Sequence, residues 1–287
     1  MSCGKIRDPS CVYARRVPEL ELWSFTFRKS TLPEIAAAAA PAGFHAVTLT
    51  PELFTRSGGD AAHLKTQVED LGLHVTFVDG LVTALPGTPL VDSDEPTLDD
   101  CIHIAHSTGA GAINVVHIGG VATPVDQLAD AFARACARAS DDGLRLAIEF
   151  LPGTGIPDFA TAAAVVRTAD APNGSVLLDT WHFARGGGTL ADLDPGSVAL
   201  IGGVQISDRT PDQDAAPYVP RRGRKIPGDG ALPLTEIVRR VRAAHPDLPV
   251  GVEVLSEEVD ALGLDQGCRT LAGALRGIIG DASSRPE

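Results

Sequence analysis

Four oxygen-bearing side chains lie at or near the ends of four apolar runs in the second half of the sequence. The runs are LRLAIEF, SVLLDT, IGGVQIS and PVGVEVL, and the side chains are Glu149, Asp179, Gln205 and Glu253. Each acid alone is better explained as a structural residue that caps a helix or pairs with an arginine. If the four strand ends converge, burying three carboxylates together requires a cation. Ligation by oxygen alone then favours one Mn²⁺ or Mg²⁺ ion over Zn²⁺.

A histidine follows the second of these residues in the stretch VLLDTWHFARGG. His182 lies one helical turn past Asp179, so its imidazole can point into the same mouth and donate to an oxyanion that develops on a substrate. The alternative is a ring packed between Trp181 and Phe183. The nearby carboxylate and the glycines that follow favour the functional interpretation, and we predict that His182 is catalytic.

Other polar and aromatic side chains are candidates for contacts with a substrate. The segment 208–232 is too long for an ordinary loop, and long loops in compact domains are often functional. Its basic run is a solvated charge cluster, a clamp for a carboxylate or phosphate, or part of a closing lid. Further candidates for the pocket are His117 and Trp23, which are equally compatible with packing roles, and Asp208, which we expect to support the ligands or the basic run. The basic run consists of Arg221, Arg222, Arg224 and Lys225.

Short apolar runs that alternate with segments of helical period must position these side chains. From residue 20 onward the alternation gives eight strand–helix units. Eight such units in about 250 residues predict a closed (β/α)₈ TIM barrel in the α/β class, whose chemistry gathers at the C-terminal ends of the strands. A doubly wound sheet is the alternative, but the first βα turn, FRKSTLP, lacks GxGxxG. The predicted strands are 20–27, 45–50, 74–80, 113–119, 144–150, 175–180, 201–207 and 249–255.

Length and composition fit a single domain of this kind. The chain has 287 residues, of which 44% are hydrophobic and only 5% aromatic, so aliphatic side chains must fill the core. We predict a flexible leader over 1–18, the barrel over 19–280 and a polar tail over 281–287. Neither a signal peptide nor a membrane span is recognisable. Five scattered cysteines without a CxxC pair favour a cytoplasmic protein with reduced thiols.

The net charge of −13 restricts the partners. It argues against nucleic acid or an anionic membrane as the main partner and is compatible with a protein that holds a cation. We expect a small-molecule substrate, and the sequence leaves homo-oligomerisation open.

Five motifs in the second half resemble those of the xylose-isomerase-like TIM-barrel superfamily of sugar phosphate isomerases and epimerases. They are, in order, LAIEFLP, VLLDTWHFARGG, VQISDR, RRGRKIPGDG and VGVEVLSEE, and they span about residues 140–260. The resemblance implies a divalent metal held by the four strand-end oxygens. It also implies that His182 and Arg224 contact substrate oxygens.

Two departures separate the chain from the ketose 3-epimerases of that superfamily. Their third metal ligand is usually histidine, where this chain has Gln205. They also carry a second glutamate shortly after the ligand on strand five, whereas here no acid follows Glu149 before Asp158. These differences weigh against a free ketohexose as the substrate. Gln205 is shared with other branches, including dehydroshikimate dehydratase-like ones.

The chemistry expected from these residues begins with proton abstraction from a hydroxy-ketone. A metal bound to two adjacent substrate oxygens lowers the pKa of the carbon-bound proton and stabilises an enediolate. Glu149 and Glu253 come from the fifth and eighth strands and could act from opposite sides. Proton return to the opposite face gives epimerisation, and transfer on one face gives aldose–ketose isomerisation.

Two other classes of function compete with this interpretation. If a hydroxyl group lies β to the carbanion, the same first step leads to loss of water, so a metal-dependent lyase acting on a cyclic hydroxy-ketone, either dehydroshikimate dehydratase-like or β-eliminating, is the main alternative. A non-catalytic protein that kept the barrel is the third hypothesis. DNA-repair endonuclease activity, which occurs in the superfamily, is disfavoured by the net charge of −13.

Overall fold

A computed structural model of the protein describes residues 18–89, 94–210, 219 and 222–283. The predicted leader, apart from Pro18, and residues 284–287 of the predicted tail lie outside this range. Within it, no helix combines the length and the apolar character that a membrane crossing requires.

Eight parallel strands close into a barrel in sequence order, which confirms the predicted fold class. Each strand pairs with the next, and the last pairs with the first through Leu20 and Val250. Closure in this order brings all eight C-terminal strand ends to one rim. The strands are β1 (Leu20–Leu22), β2 (Ala46–Leu49), β3 (His74–Leu81), β4 (Ala112–Val116), β5 (Arg145–Glu149), β6 (Gly174–Asp179), β7 (Ile201–Ile206) and β8 (Val250–Val252).

In the described residues, ten α-helices surround the barrel, and the last one extends past the predicted domain boundary at 280. Ala282 is buried, so the end of this helix belongs to the packed domain. The helices are α1 (Leu32–Ala42), α2 (Pro51–Arg56), α3 (Ala61–Asp70), α4 (Leu98–Thr108), α5 (Val125–Ser140), α6 (Phe159–Ala169), α7 (Thr180–Arg185), α8 (Pro195–Val198), α9 (Leu234–Ala244) and α10 (Glu257–Ser283).

Local sequence signals set the ends of several helices. Thr31 and Glu34 form a capping box at the start of α1, and Thr97 forms one with Asp100 at the start of α4. Each box satisfies backbone N–H groups that the first helical turn leaves without partners. Both helices end on a glycine with positive φ, of which Gly43 at 90° is one.

The first strand is shorter than the predicted 20–27. After Leu22 the chain enters a 3₁₀ turn over Ser24–Phe27. Hydroxyl groups replace the strand ladder there: the Ser24 backbone N–H donates to Thr48 Oγ1 at 3.0 Å, and the Val254 N–H donates to Thr26 Oγ1 at 3.2 Å. Such bonds from Ser and Thr side chains offer the backbone an alternative to the sheet.

The barrel interior is built in layers. Trp23, Phe77, Ala112, Ala147 and Leu177 form one buried apolar cluster, with the Trp23 and Phe77 ring centres 5.2 Å apart. Side chains two positions apart on a strand face the same way. The residues two positions further along the strands of Phe77, Ala112, Ala147 and Leu177 therefore form the next inward layer, toward the C-terminal rim.

Candidate active site

Five consecutive strands, β3 to β7, and the residue directly after β8 each contribute a polar side chain to the layer above this apolar cluster, and all six side chains are buried. Strand pairing sets Asp179 directly beside Gln205. Glu149 pairs with Val116 on β4, and Asn114 lies two positions before Val116 on the same strand. A run of polar side chains inside a barrel is expensive to bury unless hydrogen bonds and charges compensate one another. The six residues are Asp79, Asn114, Glu149, Asp179, Gln205 and Glu253.

Asp179 ends β6 and begins α7. One carboxylate oxygen accepts hydrogen bonds from the backbone N–H groups of Trp181 at 2.7 Å and His182 at 2.9 Å. Burial acts to raise the pKa of this carboxyl, but the Arg224 guanidinium, His182 and the backbone bond together hold it below its ordinary value. The capping contact fixes the helix start and thereby turns His182 toward the cavity.

Arg224 lies among the carboxylates with its side chain 1% exposed. Its Nη1 donates to Asp179 Oδ2 at 2.6 Å and to Ser207 Oγ at 3.2 Å, and its Nη2 lies 3.6 Å from Glu253 Oε2. The guanidinium also lies over the Trp181 ring, 5.0 Å from its centre. Arg224 therefore supplies a buried positive charge to two strand ends at once.

The same arginine also approaches the imidazole of His182. Arg224 Nη2 and His182 Nε2 are 3.1 Å apart. A guanidinium can only donate, so a hydrogen bond between these two groups has Nε2 as its acceptor. Glu149 Oε1 lies 3.4 Å from the same Nε2.

Asp79 and Asn114 extend the site toward β3 and β4. The Asn114 amide nitrogen donates to Asp79 Oδ1 at 2.8 Å and to Glu149 Oε2 at 2.7 Å. Both amide protons are thus committed to holding two carboxyl groups side by side. Burial, and then the charge of Glu149, raise the pKa of Asp79 to about 7. Burial also raises the pKa of Glu253 well above its ordinary value, although Arg224 opposes that effect.

The donor set fits a divalent cation. Glu149, Asp179 and His182 each offer a ligand atom, and these atoms all lie within 4.8 Å of one another. Gln205 Oε1, next to Asp179 in the layer, is buried and has no hydrogen-bond partner among the described residues. An orphaned buried carbonyl beside several carboxyl groups is an arrangement that a hard cation would satisfy.

A cavity of about 920 Å³ opens above this layer. Asp79, Glu149, His182, Arg224 and Glu253 form its polar floor. The predicted catalytic residues therefore share one cavity with Arg224, whereas Asp179 and Gln205 are buried beneath it.

Two of the predicted pocket residues lie elsewhere. Trp23 is fully buried in the apolar cluster below the polar layer. His117 accepts a hydrogen bond from the Gly155 N–H through Nδ1 at 3.2 Å, and its Nε2 lies 3.0 Å from the Pro86 carbonyl oxygen. His117 therefore joins the segments after β3, β4 and β5, and neither residue belongs to the described cavity lining.

The third, Asp208, organises the segment that carries Arg224. Its carboxylate accepts from the backbone N–H groups of Gly228 at 3.0 Å, Gly230 at 3.2 Å and Leu232 at 2.9 Å, and its backbone forms an antiparallel bridge with Lys225. The supporting role expected for Asp208 agrees with these contacts. Of the basic run, Arg221 lies outside the described residues, Arg222 is exposed, and Lys225 pairs with Glu258.

Asp79 and Asn114 are site residues that the sequence analysis missed. Each interrupts an apolar run, in HVTFVDG and in AINVV, at a position two residues past a member of the apolar cluster. That spacing was the available signal. It could be recognised only once the inward-facing set of each strand was known.

Residues 36–274 match the xylose isomerase-like TIM barrel family. The chain belongs to this family. Among xylose isomerase-like proteins, it is 31% identical over 261 residues to a Streptomyces coelicolor protein named "Putative hydroxypyruvate isomerase"; the match covers 80% of this chain and 88% of that protein.

Solved structures of other proteins share the fold. A structure described as the IolI protein with a bound zinc atom has a TM-score of 0.76 and 17% identity, and covers 93% of this chain and 100% of its own. A probable 3-DHS dehydratase from Bacillus anthracis has a TM-score of 0.72 and 15% identity, and covers 90% of this chain and 98% of its own. At these identities the likeness establishes the fold alone.

Proposed function

We propose that the protein is a divalent-metal-dependent isomerase or epimerase of a small polyhydroxylated carbonyl compound. The observation that carries the proposal is the placement of Glu149 and Glu253, from β5 and β8, on the floor of one cavity with His182 and Arg224. Two carboxyl groups from separated strands, with a buried cationic donor, match the needs of proton transfer next to a carbonyl group. The name of the Streptomyces relative agrees with an isomerase.

The metal would be held by Glu149, Asp179, Gln205 and Glu253, with His182 within reach of the same position. The unpaired Gln205 Oε1 and the grouped oxygens of Glu149 and Asp179 support this assignment. When bound, Mn²⁺ or Mg²⁺ would polarise adjacent substrate oxygens and thereby acidify the carbon-bound proton. The IolI protein, whose structure holds zinc, shares only the fold, so we retain the ions that an oxygen-rich set favours.

Proton transfer is the work of the two glutamates. One carboxylate removes a proton from the carbon next to the carbonyl group, and the electron pair moves to form a C=C bond while the carbonyl oxygen gains charge. Arg224 places its positive charge at the floor where that charge develops. Return of a proton to the former carbonyl carbon, with transfer of the neighbouring hydroxyl proton to the former carbonyl oxygen, gives isomerisation. Return of a proton to the opposite face of the first carbon by the second glutamate gives epimerisation.

A substitution series tests these roles. We expect Glu149→Gln and Glu253→Gln each to lower turnover by at least about a hundredfold, because each removes a proton-transfer group. Asp179→Asn should lose the metal, as measured by elemental analysis of the purified protein. The matched control is Glu69→Gln on the exposed face of α3, which should leave turnover unchanged.

Chelation tests the metal requirement directly. Protein freed of metal should lose activity, and addition of Mn²⁺ or Mg²⁺ should restore it. Full activity in protein whose metal content has been verified as zero would refute the mechanism.

A lyase is the second candidate, favoured by the apolar wall of the cavity. Phe25, Phe54, Val116 and Ile118 line it, which suits a cyclic hydroxy-ketone with a hydrocarbon face. The fold is shared with the probable 3-DHS dehydratase. NMR in D₂O separates the two reactions: solvent deuterium retained at one carbon supports isomerisation, whereas loss of water with a new conjugated chromophore supports the lyase.

A further inference from the structure

His117 is a fully buried histidine that the proposed mechanism does not use. Both of its ring nitrogens contact backbone atoms of other segments, Nδ1 the Gly155 N–H at 3.2 Å and Nε2 the Pro86 carbonyl oxygen at 3.0 Å. Pro86 follows β3 and Gly155 follows β5, while His117 itself directly follows β4. One side chain therefore connects three consecutive segments at the C-terminal rim of the barrel.

The two bonds determine the state of the ring. A backbone N–H can only donate and a carbonyl oxygen can only accept, so both bonds form together only when the imidazole is neutral and carries its proton on Nε2. Because the ring is fully buried, loss of either bond would leave a polar group without a replacement from bulk water.

The three segments also pack closely around the ring. A Cβ atom at Gly155 would lie 2.6 Å from His117 Cε1, and a Cβ atom at Gly87 would lie 3.2 Å from Nε2. The Gly155 N–H donates in addition to the Gly119 carbonyl oxygen at 3.0 Å. Glycine at 155 and 87 thus lets the segments after β3 and β5 approach the imidazole from two sides.

These segments carry part of the cavity lining. Val116 and Ile118, the two chain neighbours of His117, line the cavity, and so does Leu151, two residues after Glu149. The Leu151 N–H donates to the Ile156 carbonyl oxygen at 2.9 Å, which closes a turn that contains Gly155. Displacement of this turn would therefore move Leu151 and the part of the cavity wall next to Glu149.

We propose that His117 is a positioning residue of the cavity. Neutral, with its proton on Nε2, it ties the segments after β3, β4 and β5 into one rigid wall and thereby holds Ile118 and Leu151 in place for the substrate. The inference rests on the proposed function for the reaction, but the rigidity of the wall is a separate claim that can be tested without turnover.

Two conservative variants remove one bond each. In His117→Asn the side-chain oxygen can still accept from the Gly155 N–H, but no donor reaches the Pro86 oxygen. In His117→Gln the side-chain nitrogen can still donate to the Pro86 oxygen, but no acceptor reaches the Gly155 N–H. His117→Leu removes both bonds. Backbone amide exchange in the presence of Mn²⁺, followed by mass spectrometry, reports which segment each variant releases.

We expect His117→Asn to raise the exchange rate in residues 82–89 at least about threefold and to leave residues 151–157 unchanged, because a lost hydrogen bond makes local opening easier. His117→Gln should do the reverse, with a smaller rise of about twofold, since the Gly119 oxygen still accepts from the Gly155 N–H. His117→Leu should release both segments. Wild-type exchange rates in the Asn and Gln variants overturn the proposal, and so does equal release of both segments by each.

Steady-state kinetics with hydroxypyruvate as the probe test the positioning role. Wall contacts bind the ground state and the transition state alike, so His117→Leu should raise KM at least about threefold and change kcat by less than about twofold. The Asn and Gln variants should each restore part of the KM. Faster exchange with an unchanged KM, or a fall in kcat alone, overturns this role. If the wild type does not turn over hydroxypyruvate, that result counts against the proposed function for this compound, and amide exchange decides the present claim.

His245→Leu is the matched control. His245 Nε2 lies 2.9 Å from the Val198 carbonyl oxygen, and this histidine follows α9 and is not among the described lining residues. Its loss removes the same kind of bond away from the cavity, so Tm should fall while KM and the exchange of residues 82–89 and 151–157 stay at wild-type values. An equal rise of KM in both leucine variants would assign the effect to general destabilisation and overturn the proposal.

NMR of the wild type tests the state of the ring even if a variant does not fold. In protein labelled with ¹⁵N-histidine, the His117 signals are identified among those of the eight histidines by contacts with Gly155. We expect a bare Nδ1 and a proton on Nε2 that exchanges slowly with solvent, because the ring is fully buried. A proton on Nδ1, or an imidazole that exchanges rapidly between its two neutral forms, overturns the inference.

Discussion

Replacement of Arg224 by methionine tests whether this guanidinium holds the buried carboxyl groups together. Methionine preserves most of the aliphatic stem against Trp181 but removes the charge that lies 2.6 Å from Asp179 and 3.6 Å from Glu253. Removal of one partner from a buried charge pair costs about 3–5 kcal/mol, because the other charge stays buried without compensation. Since a domain of this size loses about 2–4 °C of Tm per kcal/mol, metal-free Arg224→Met should melt about 10 °C lower than the wild type.

Added metal should partly reverse the loss. A divalent ion that binds only the folded state stabilises it by about 2.7 kcal/mol at a hundred times its Kd. The guanidinium and the ion draw on the same carboxylate charge, so Mn²⁺ should raise the Tm of Arg224→Met more than that of the wild type. The measurement is thermal unfolding with and without Mn²⁺ after chelation, followed by circular dichroism.

The pH dependence of this difference has a definite sign. The folded pKa of Asp179 is lowered, so its contribution to stability is present above its unfolded pKa and is lost as the pH falls through the folded value. The gap between the wild type and Arg224→Met should therefore be widest near neutral pH and should narrow in acid.

The control for this experiment is Arg222→Met, in the same segment but exposed, which should change stability by less than about 0.5 kcal/mol. A metal-free Arg224→Met protein that melts within about 2 °C of the wild type, or an equal response of both proteins to Mn²⁺, would refute the reasoning.

Three further predictions concern other buried polar groups. Burial raises the pKa of Glu21 to about 7, so the free energy of unfolding falls as the pH rises from about 4.5 through 7. Glu21→Gln should reduce the difference in unfolding free energy between pH 5 and pH 8, measured in urea, by about 2.5 kcal/mol, and an unchanged difference would contradict this. Asn114→Leu leaves Glu149 without its amide donor and should lower kcat at least about tenfold, whereas Asn173→Leu, which breaks only backbone contacts, should lower Tm but not kcat. Asp208→Ala removes three backbone contacts from the segment that holds Arg224 and should raise KM more than it lowers kcat; a change in kcat alone would show that this segment does not position the substrate.

The sequence by itself determined the barrel and four of the six residues in its polar layer. Eight apolar runs of strand length, separated by helical segments, leave few ways to bury both faces of every strand, and a closed parallel barrel is the one the structure adopts. Because Glu149, Asp179, Gln205 and Glu253 end or nearly end their runs, the rule that barrel chemistry gathers at C-terminal strand ends was enough to group them.

Tertiary structure alone decided which remaining side chains share the layer. Asn114 lies in the middle of its strand and His117 directly follows β4, so position in the run misjudges both. Asp79 nearly ends its run, as Asp179 does, but only the strand register shows that it faces the same layer. Whether a side chain points into the barrel depends on the register of its strand and on the residue at which strand pairing ends. Neighbouring strands set both through contacts such as that of Ser24 with Thr48.

The position of Arg224 also required the folded chain. In the sequence it is one of four basic residues in a long segment, and nothing local distinguishes a solvated arginine from a buried one. Asp208, 16 residues earlier, binds the turn that follows Arg224 and so directs the guanidinium inward to Asp179. The energy of that placement comes from charges on strands far apart in the chain, which only barrel closure brings together.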